Sequence, residues 1–465
     1  MVMEKRRPLA FLASLTAGAC VSGFAATRPN VVIIVADDLG WGDVSCHGSV
    51  IPTPNIDRLF AEGIELERFY TAPVSSPTRC GLMTGRYPSR FGIRETVIPP
   101  WRDYGLPVEE ETMADVLGRN GYANRAAIGK WHMGHSRLRY YPLNRGFTHF
   151  HGALNGAFDY FDHTREQELD WHDDWESCHE EGYSTDLIAA ESARCIKEYA
   201  KGDPYFVYAC FNAPHAPYQA PEDEIRKFIS KDEFEALSPK DRKGWTYRAM
   251  VSRMDAGVGT ILQAIHESGE WDNTIIFFMS DNGGVPGMEP YCVNRPFRGA
   301  KFDEWEGGLR TIAGIYWKKG FKQGGRKLQQ VTGFVDVLPT LADIIGAKGK
   351  PKNPYDGISI YGVLSGKKKE TDRDMYLGCG AGVCQQYKLI LAGQHLGLQK
   401  DFITDILQNP YEKREGRVYE DPERVVELRK TVEKGDAIVP YQEEIPYGKG
   451  QNGFVAPREW KITEY

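Results

Sequence analysis

Three short apolar runs constrain this 465-residue chain more than anything else in it. They are residues 31–36 (VVIIVA), 205–211 (YFVYACF) and 274–279 (TIIFFM). Each is β-branched or aromatic and apolar throughout, the pattern of a strand covered on both faces. Helices read clearly between them. Thr53 caps a segment with Pro54 in its first turn, Ile56, Leu59 and Phe60 on one face, and Gly63 as its stop. Residues 112–120, ending before Gly121, behave alike. This alternation predicts an α/β domain over residues 27–345, with a large central, mainly parallel mixed sheet flanked by helices. After Ile345 comes a basic, Gly/Pro-rich connector, GAKGKPKNP, and then shorter, more polar sequence. Residues 346–465 are therefore expected to form a smaller C-terminal α+β subdomain.

The N-terminus reads as a targeting segment. Lys5, Arg6 and Arg7 precede an apolar run over 9–19, and small residues including Gly23 and Ala25 follow. This predicts a signal peptide over 1–25 and export to the periplasm or medium. AGAC at 17–20 is a weak lipobox, so lipid anchoring through Cys20 is the lesser alternative. No later stretch has the length and apolarity to span a bilayer. A net charge of -7 argues against a nucleic-acid partner but is compatible with one local cationic pocket. The eight cysteines after Cys20 form no CxxC pair that would hold zinc. Cys379 and Cys384 are near enough in sequence to pair across a Gly-rich turn.

Chemistry gathers where the apolar runs end. The first stops at Asp37-Asp38, the second at Asn212-Ala213-Pro214-His215, and the third at Ser280-Asp281-Asn282-Gly283-Gly284. Ligands of open α/β sheets bind beyond the carboxyl ends of strands, so the three clusters are expected at one edge. Taken singly, DD or DNGG is a turn or a cap. Together, Asp37, Asp38, Asp281 and Asn282 are hard oxygen donors that call for a divalent cation, Ca²⁺ or Mg²⁺. Cations cluster as well: Lys130 and His132 in IGKWHMG, Arg298 and Lys301 in RGAKFDEWEGG, and Arg79 in PVSSPTRCGLMTGR. An extended backbone would point Lys130 and His132 to one side. Such a set suits a tetrahedral oxyanion, sulfate or phosphate. PVSSPTRCGLMTGR also offers three nucleophiles, Ser75, Ser76 and Cys80.

Ser75-Ser76-Pro77-Thr78-Arg79, followed by Leu82-Met83-Thr84-Gly85-Arg86, resembles the (C/S)-x-P-x-R…TGR signature of type I sulfatases, in the alkaline phosphatase superfamily. NVVIIVADDLGWGD, GKWHMG, NAPHAPY, SDNGG, FRGAKFDEWEGGLR and FVDVLPTLADIIG resemble further blocks of that family, in its order. The resemblance implies that Ser75 is oxidised to formylglycine (3-oxoalanine) by a serine-type sulfatase-maturing enzyme. It implies that Asp37, Asp38, Asp281 and Asn282, with the modified Ser75, hold the metal. Arg79 would steady the formylglycine hydroxyl, with Lys130 and His132 around it. His215 and Lys301 would contact the sulfate, one of them protonating the leaving alcohol. The hydrated aldehyde is a gem-diol: one hydroxyl attacks sulfur and the second later expels sulfate. Cys80 and Ser76 stand at the wrong offset for the nucleophile; Ser76 is expected to pack or hydrogen-bond, and Cys80 to help start a helix after Arg79. Two departures from the family pattern stand out. Residues 121–130 run one position longer than usual, and the C-terminal LYDL…DP pattern is missing.

GALNGAFDYFDH at 152–163 resembles the segment bordering substrate in arylsulfatase B-like members. The implied substrate is a sulfated carbohydrate, of the galactose or N-acetylgalactosamine sulfate type. Trp101, Arg102, Asp159, Tyr160 and His163 are the expected sugar contacts. Two alternatives remain at this point: a phosphate or phosphonate ester hydrolase with Ser75 unmodified, and a non-catalytic sulfoglycan-binding protein.

Overall fold

The computed structural model describes residues 28–321, 324–394, 396–418 and 422–465. The expected signal peptide and Cys20 lie outside the described residues. Five strands make the parallel heart of a ten-stranded sheet: β1 (Asn30–Ala36), β2 (Arg125–Gly129), β3 (His149–Gly152), β4 (Phe206–Cys210) and β5 (Thr274–Ser280). Their spatial order is β5-β1-β4-β2-β3, and every neighbouring pair among them runs parallel. The three apolar runs are thus the three adjacent central strands. Val31 lies opposite both Phe206 and Ile275, so their carboxyl ends finish together. β6 (Ala313–Tyr316) pairs antiparallel with β5 and makes the sheet mixed.

The period of two in β1 explains why the run is apolar at every position. Val31, Ile33 and Val35 enter the core on one face of the sheet, while Val32, Ile34 and Ala36 enter the core on the other. Helices cover both faces: α1 (Pro54–Glu62), α2 (Ser75–Thr84), α3 (Met113–Arg119), α4 (Ser184–Tyr199) and α5 (Pro239–Glu267). α1 buries Ile56, Leu59 and Phe60 and stops at Gly63, as its sequence predicts. Thr112 caps α3 by accepting from the Asp115 amide.

Near the C-terminus β7 (Met375–Gly378), β8 (Ala381–Val383), β9 (Tyr387–Ile390) and β10 (Phe402–Asp405) form a separate antiparallel sheet. α6 (Glu423–Asp436) packs on it through Val425, Leu428 and Val432. Cys379 and Cys384 are both free thiols. No helix among the described residues is long and apolar enough to cross a membrane.

Candidate active site at the carboxyl edge of the sheet

The parallel register delivers four polar segments to one place. Asp37 and Asp38 leave β1, Lys130 leaves β2, Asn212 to His215 leave β4, and Asp281 and Asn282 leave β5. Ser75 is the first residue of α2, which ends at Gly85 in the left-handed conformation (φ 68°). Starting the helix here differs from the sequence expectation of a helix beginning after Arg79. Pro77 is tolerated because amides in a first turn have no intrahelical acceptor to lose. The helix sets Arg79 one turn beyond Ser75, so both side chains meet Asp281.

At the floor, Ser75 Oγ donates to Asp281 Oδ2 at 2.5 Å. Arg79 Nε lies 3.0 Å from both Ser75 Oγ and Asp281 Oδ2, and its Nη2 is 2.9 Å from the same carboxylate oxygen. His132 Nδ1 is 3.4 Å from Ser75 Oγ. Lys130 Nζ donates to Asp37 Oδ2. Lys301 Nζ sits 2.7 Å from Asp38 Oδ1, and His215 Nε2 sits 3.6 Å from Asp38 Oδ2. All ten positions assigned to catalysis or metal therefore gather in one buried cluster around Ser75. His132 reaches it differently from expectation: its φ of 57° is left-handed, so the backbone there is not extended. Asp38 (φ 66°) and Phe302 (φ 79°) share that conformation, strain held by the surrounding structure at the site. Arg298 lies elsewhere, with its guanidinium 3.6 Å above the Trp305 ring.

Burial and charge set the protonation states. Burial foremost, then the neighbouring Asp281 carboxylate, push Asp37 up to about 8. Burial works against ionised Asp38, yet Lys301 and His215 hold it below the carboxylate range. Burial is also the main cause that lowers Lys130 and carries His215 down to about 3. Lys301 is raised against its own burial by Asp38 and Asp37.

Two buried acceptors in this cluster, Asp37 Oδ1 and Asn282 Oδ1, have no hydrogen-bond partner. Oxygens this deeply buried are otherwise almost always satisfied. Ligand atoms of Asp37, Asp38 and His215 lie within 4.8 Å of one another. The orphaned oxygens, all from carboxylate or amide groups, fit a hard divalent cation.

A family model described as Sulfatase matches residues 29–347. This chain belongs to the sulfatase family. It is 32% identical to arylsulfatase J of Mus musculus over 73% of this chain and 56% of that protein. It is 31% identical to N-acetylgalactosamine-6-sulfatase of Homo sapiens over 72% of this chain and 66% of that protein. The chain thus matches less than two thirds of the length of these curated relatives. The solved structure of Ps i-CgsB in complex with k-i-k-neocarrahexaose aligns with a TM-score of 0.76 and 28% identity, covering 90% of this chain and 94% of the other.

Above the floor of this sulfatase fold opens a cleft of about 780 Å³. Ser75, His132, His215 and Lys301 line its base, and Arg94, Arg165, Phe302, Glu444 and Tyr447 line its walls. None of the five expected sugar contacts is among the lining residues. Tyr160 is buried and donates its hydroxyl to the Asn212 and His215 carbonyls, bracing the His215 loop from below. His163 stacks on buried Trp171 at 4.5 Å. Asp159 accepts from the Phe161 and Asp162 amides and from Gln219. Trp101 and Arg102 donate to the carbonyls of Tyr447 and Pro446, so they hold the tail segment that does face the cleft. Of the 152–163 segment, only Gly156 and Ala157 reach the lining: Phe158 and Tyr160 turn inward, and exposed Phe161 packs against Tyr183. Sequence reasoning missed Arg94, Arg165 and Phe302. The signal for Phe302 was its place beside Lys301; the two arginines had none.

Proposed function

We propose that this chain is a sulfuric ester hydrolase that removes sulfate from a sulfated carbohydrate. The observation that carries the reading is Ser75 Oγ, held by Asp281 and Arg79 at the base of a cleft whose other basal side chains are His132, His215 and Lys301. A relative named N-acetylgalactosamine-6-sulfatase and a structural neighbour crystallised with a neocarrahexaose support a saccharide as the substrate class.

In this reading Asp37, Asp38, Asp281 and Asn282 hold Ca²⁺, and Ser75 is carried as formylglycine. The cation supplies Lewis acidity toward the sulfate oxygens, and the hydrated aldehyde supplies one hydroxyl for attack and a second for release. Arg79 fixes the position-75 side chain through Nε and keeps its charge close to the developing oxyanion. Lys130 neutralises Asp37, and His132 borders position 75 on the open side. The Lys301–His215 pair faces the cleft and provides the proton for the departing alcohol. Ser75 is only 1% exposed in the folded chain, so a serine-type maturing enzyme would act on it before α2 forms.

Two measurements test this. Mass spectrometry of the Ser75 peptide, from a host with a serine-type maturase, should show a residue two hydrogens lighter than serine. Matched aryl sulfate and aryl phosphate esters should show faster sulfate turnover. Faster phosphate turnover by protein with an unmodified Ser75 would overturn the reading.

A further inference from the structure

Two arginines line the cleft walls, and their surroundings differ. Arg94 is ringed by acids: Nη2 is 2.6 Å from Glu95, Nη1 3.7 Å from Asp436 and Nε, which like that of Arg165 makes no hydrogen bond, 3.9 Å from Glu444. Arg165 is not. Its Nη1 donates to the Ala157 carbonyl at 2.9 Å, and its Nη2 lies 3.3 Å from Glu166, whose side chain is 39% exposed. Its buried Nε has no hydrogen-bond partner. Arg165 is also mounted firmly. It belongs to a short hairpin, Thr164–Arg165 paired with Glu168–Leu169, whose tip residues Glu166 and Gln167 take left-handed φ values. The C-terminal tail braces that hairpin: the Trp460 indole donates to the Arg165 carbonyl at 2.9 Å, and the Glu459 amide to Glu168 at 2.8 Å.

We propose that Arg165 is a specificity-determining residue that binds a second anionic group, a sulfate ester or a carboxylate, on a saccharide whose first sulfate lies at Ser75. This rests on the function proposed above. The guanidinium fork matches either oxyanion in a bidentate manner, and displacing half-exposed Glu166 frees Nη2 for it. The favoured substrate is then a polyanionic glycan rather than one with an isolated sulfate.

The test uses 4-nitrophenyl sulfate as reporter, with oligosaccharides of dextran sulfate, alginate and neutral dextran as competitors. Each variant's inhibition is read against its own uninhibited rate. Dextran sulfate should inhibit the parent enzyme more strongly than neutral dextran. Arg165→Gln should raise that inhibition constant about tenfold, the loss expected for one charge-assisted contact. Arg165→Lys should recover part of it, and Lys197→Gln on distant α4 should leave it alone. An equal response to alginate assigns the site to carboxylates as well as sulfates; no response assigns it to sulfates. Unchanged inhibition by both polyanions in a normally melting Arg165→Gln overturns the proposal. If the parent enzyme does not turn over the reporter, the proposed function fails. Calorimetric binding of the same oligosaccharides to parent and variant then still decides for or against Arg165.

Discussion

Two buried ion clusters of this molecule are built from the same ingredients and end differently. At the cleft floor, Asp37, Asp38 and Asp281 face Arg79, Lys130 and Lys301, yet Asp37 Oδ1 and Asn282 Oδ1 stay unpartnered. Behind the Lys301 loop, Lys388 of β9 lies 3.0 Å from Glu306 and 2.9 Å from Glu412. There the Glu306 amide donates to Glu412 Oε2 at 2.6 Å, while Tyr70 and Arg310 serve Glu306 Oε2. In the second, closed cluster every carboxylate oxygen has a cation or a donor within 3.4 Å, Glu412 Oε1 through the Lys388 charge without a hydrogen bond, and the cluster ties the C-terminal sheet to the segment carrying Lys301. The first, open cluster leaves Asp37 Oδ1 and Asn282 Oδ1 without a protein partner, and these are the oxygens a divalent cation would take. Buried charge is costly in both places, and what separates the two clusters is whether each oxygen has a charge or a donor of the protein beside it.

The largest expected effect lies in the open cluster. Ser75→Ala should lower aryl sulfate turnover by roughly ten-thousandfold or more, with an unchanged thermal melt. The comparison breaks if activity survives, because position 75 would then not be the reacting group. In the closed cluster the order reverses, and stability goes first. Lys388→Met strands two buried glutamates and should cost about 3–5 kcal/mol, read from the urea midpoint. Adding Glu306→Gln and Glu412→Gln to that variant should restore most of the loss. No recovery would mean that Lys388 acts through packing rather than charge.

Metal sharpens the contrast. Calcium in hundredfold excess over its dissociation constant should stabilise the protein by about 2.7 kcal/mol, seen as a rise in melting temperature. Asp37→Asn should abolish that rise, since it removes a carboxylate charge at the open cluster. The Lys388/Glu306/Glu412 triple variant should keep it. A calcium response that follows the closed cluster instead would reverse the roles assigned here.

The floor was legible in the sequence because its residues follow uniformly apolar strands. A parallel sheet brings the ends of β1, β4 and β5 together whatever their separation along the chain. The start of α2 at Ser75 was hidden by Pro77, which reads as a helix breaker but is harmless in a first turn. The cleft walls were not legible for a different reason. Arg94 and Glu444 come from a loop and the tail, and Arg165 from a two-residue hairpin strand, segments too short or irregular for any period to fix direction. Tyr160 and His163 carry the composition of a sugar platform, but their side chains turn inward to support the His215 loop and Trp171. The closed cluster left no trace at all, since Glu306, Lys388 and Glu412 are ordinary charged residues until the fold buries them.

The smallest effect concerns pH and belongs to the closed cluster. Burial, and then the Glu306 charge, raise Glu412 from the ordinary 4.5 to about 7, against the pull of Lys388. A carboxyl raised in the folded state binds a proton that the unfolded chain has already released. Its contribution to stability is therefore full below 4.5 and is lost as pH rises through about 7. The slope is at most ~1.4 kcal/mol per pH unit, one proton's worth. Urea unfolding at about pH 5 to pH 8 should show the parent protein losing stability relative to Glu412→Gln across that window. A flat difference would mean that Lys388 keeps Glu412 ionised throughout. Both glutamates would then be charged in the native state, and the closed cluster would be held by Coulombic attraction alone.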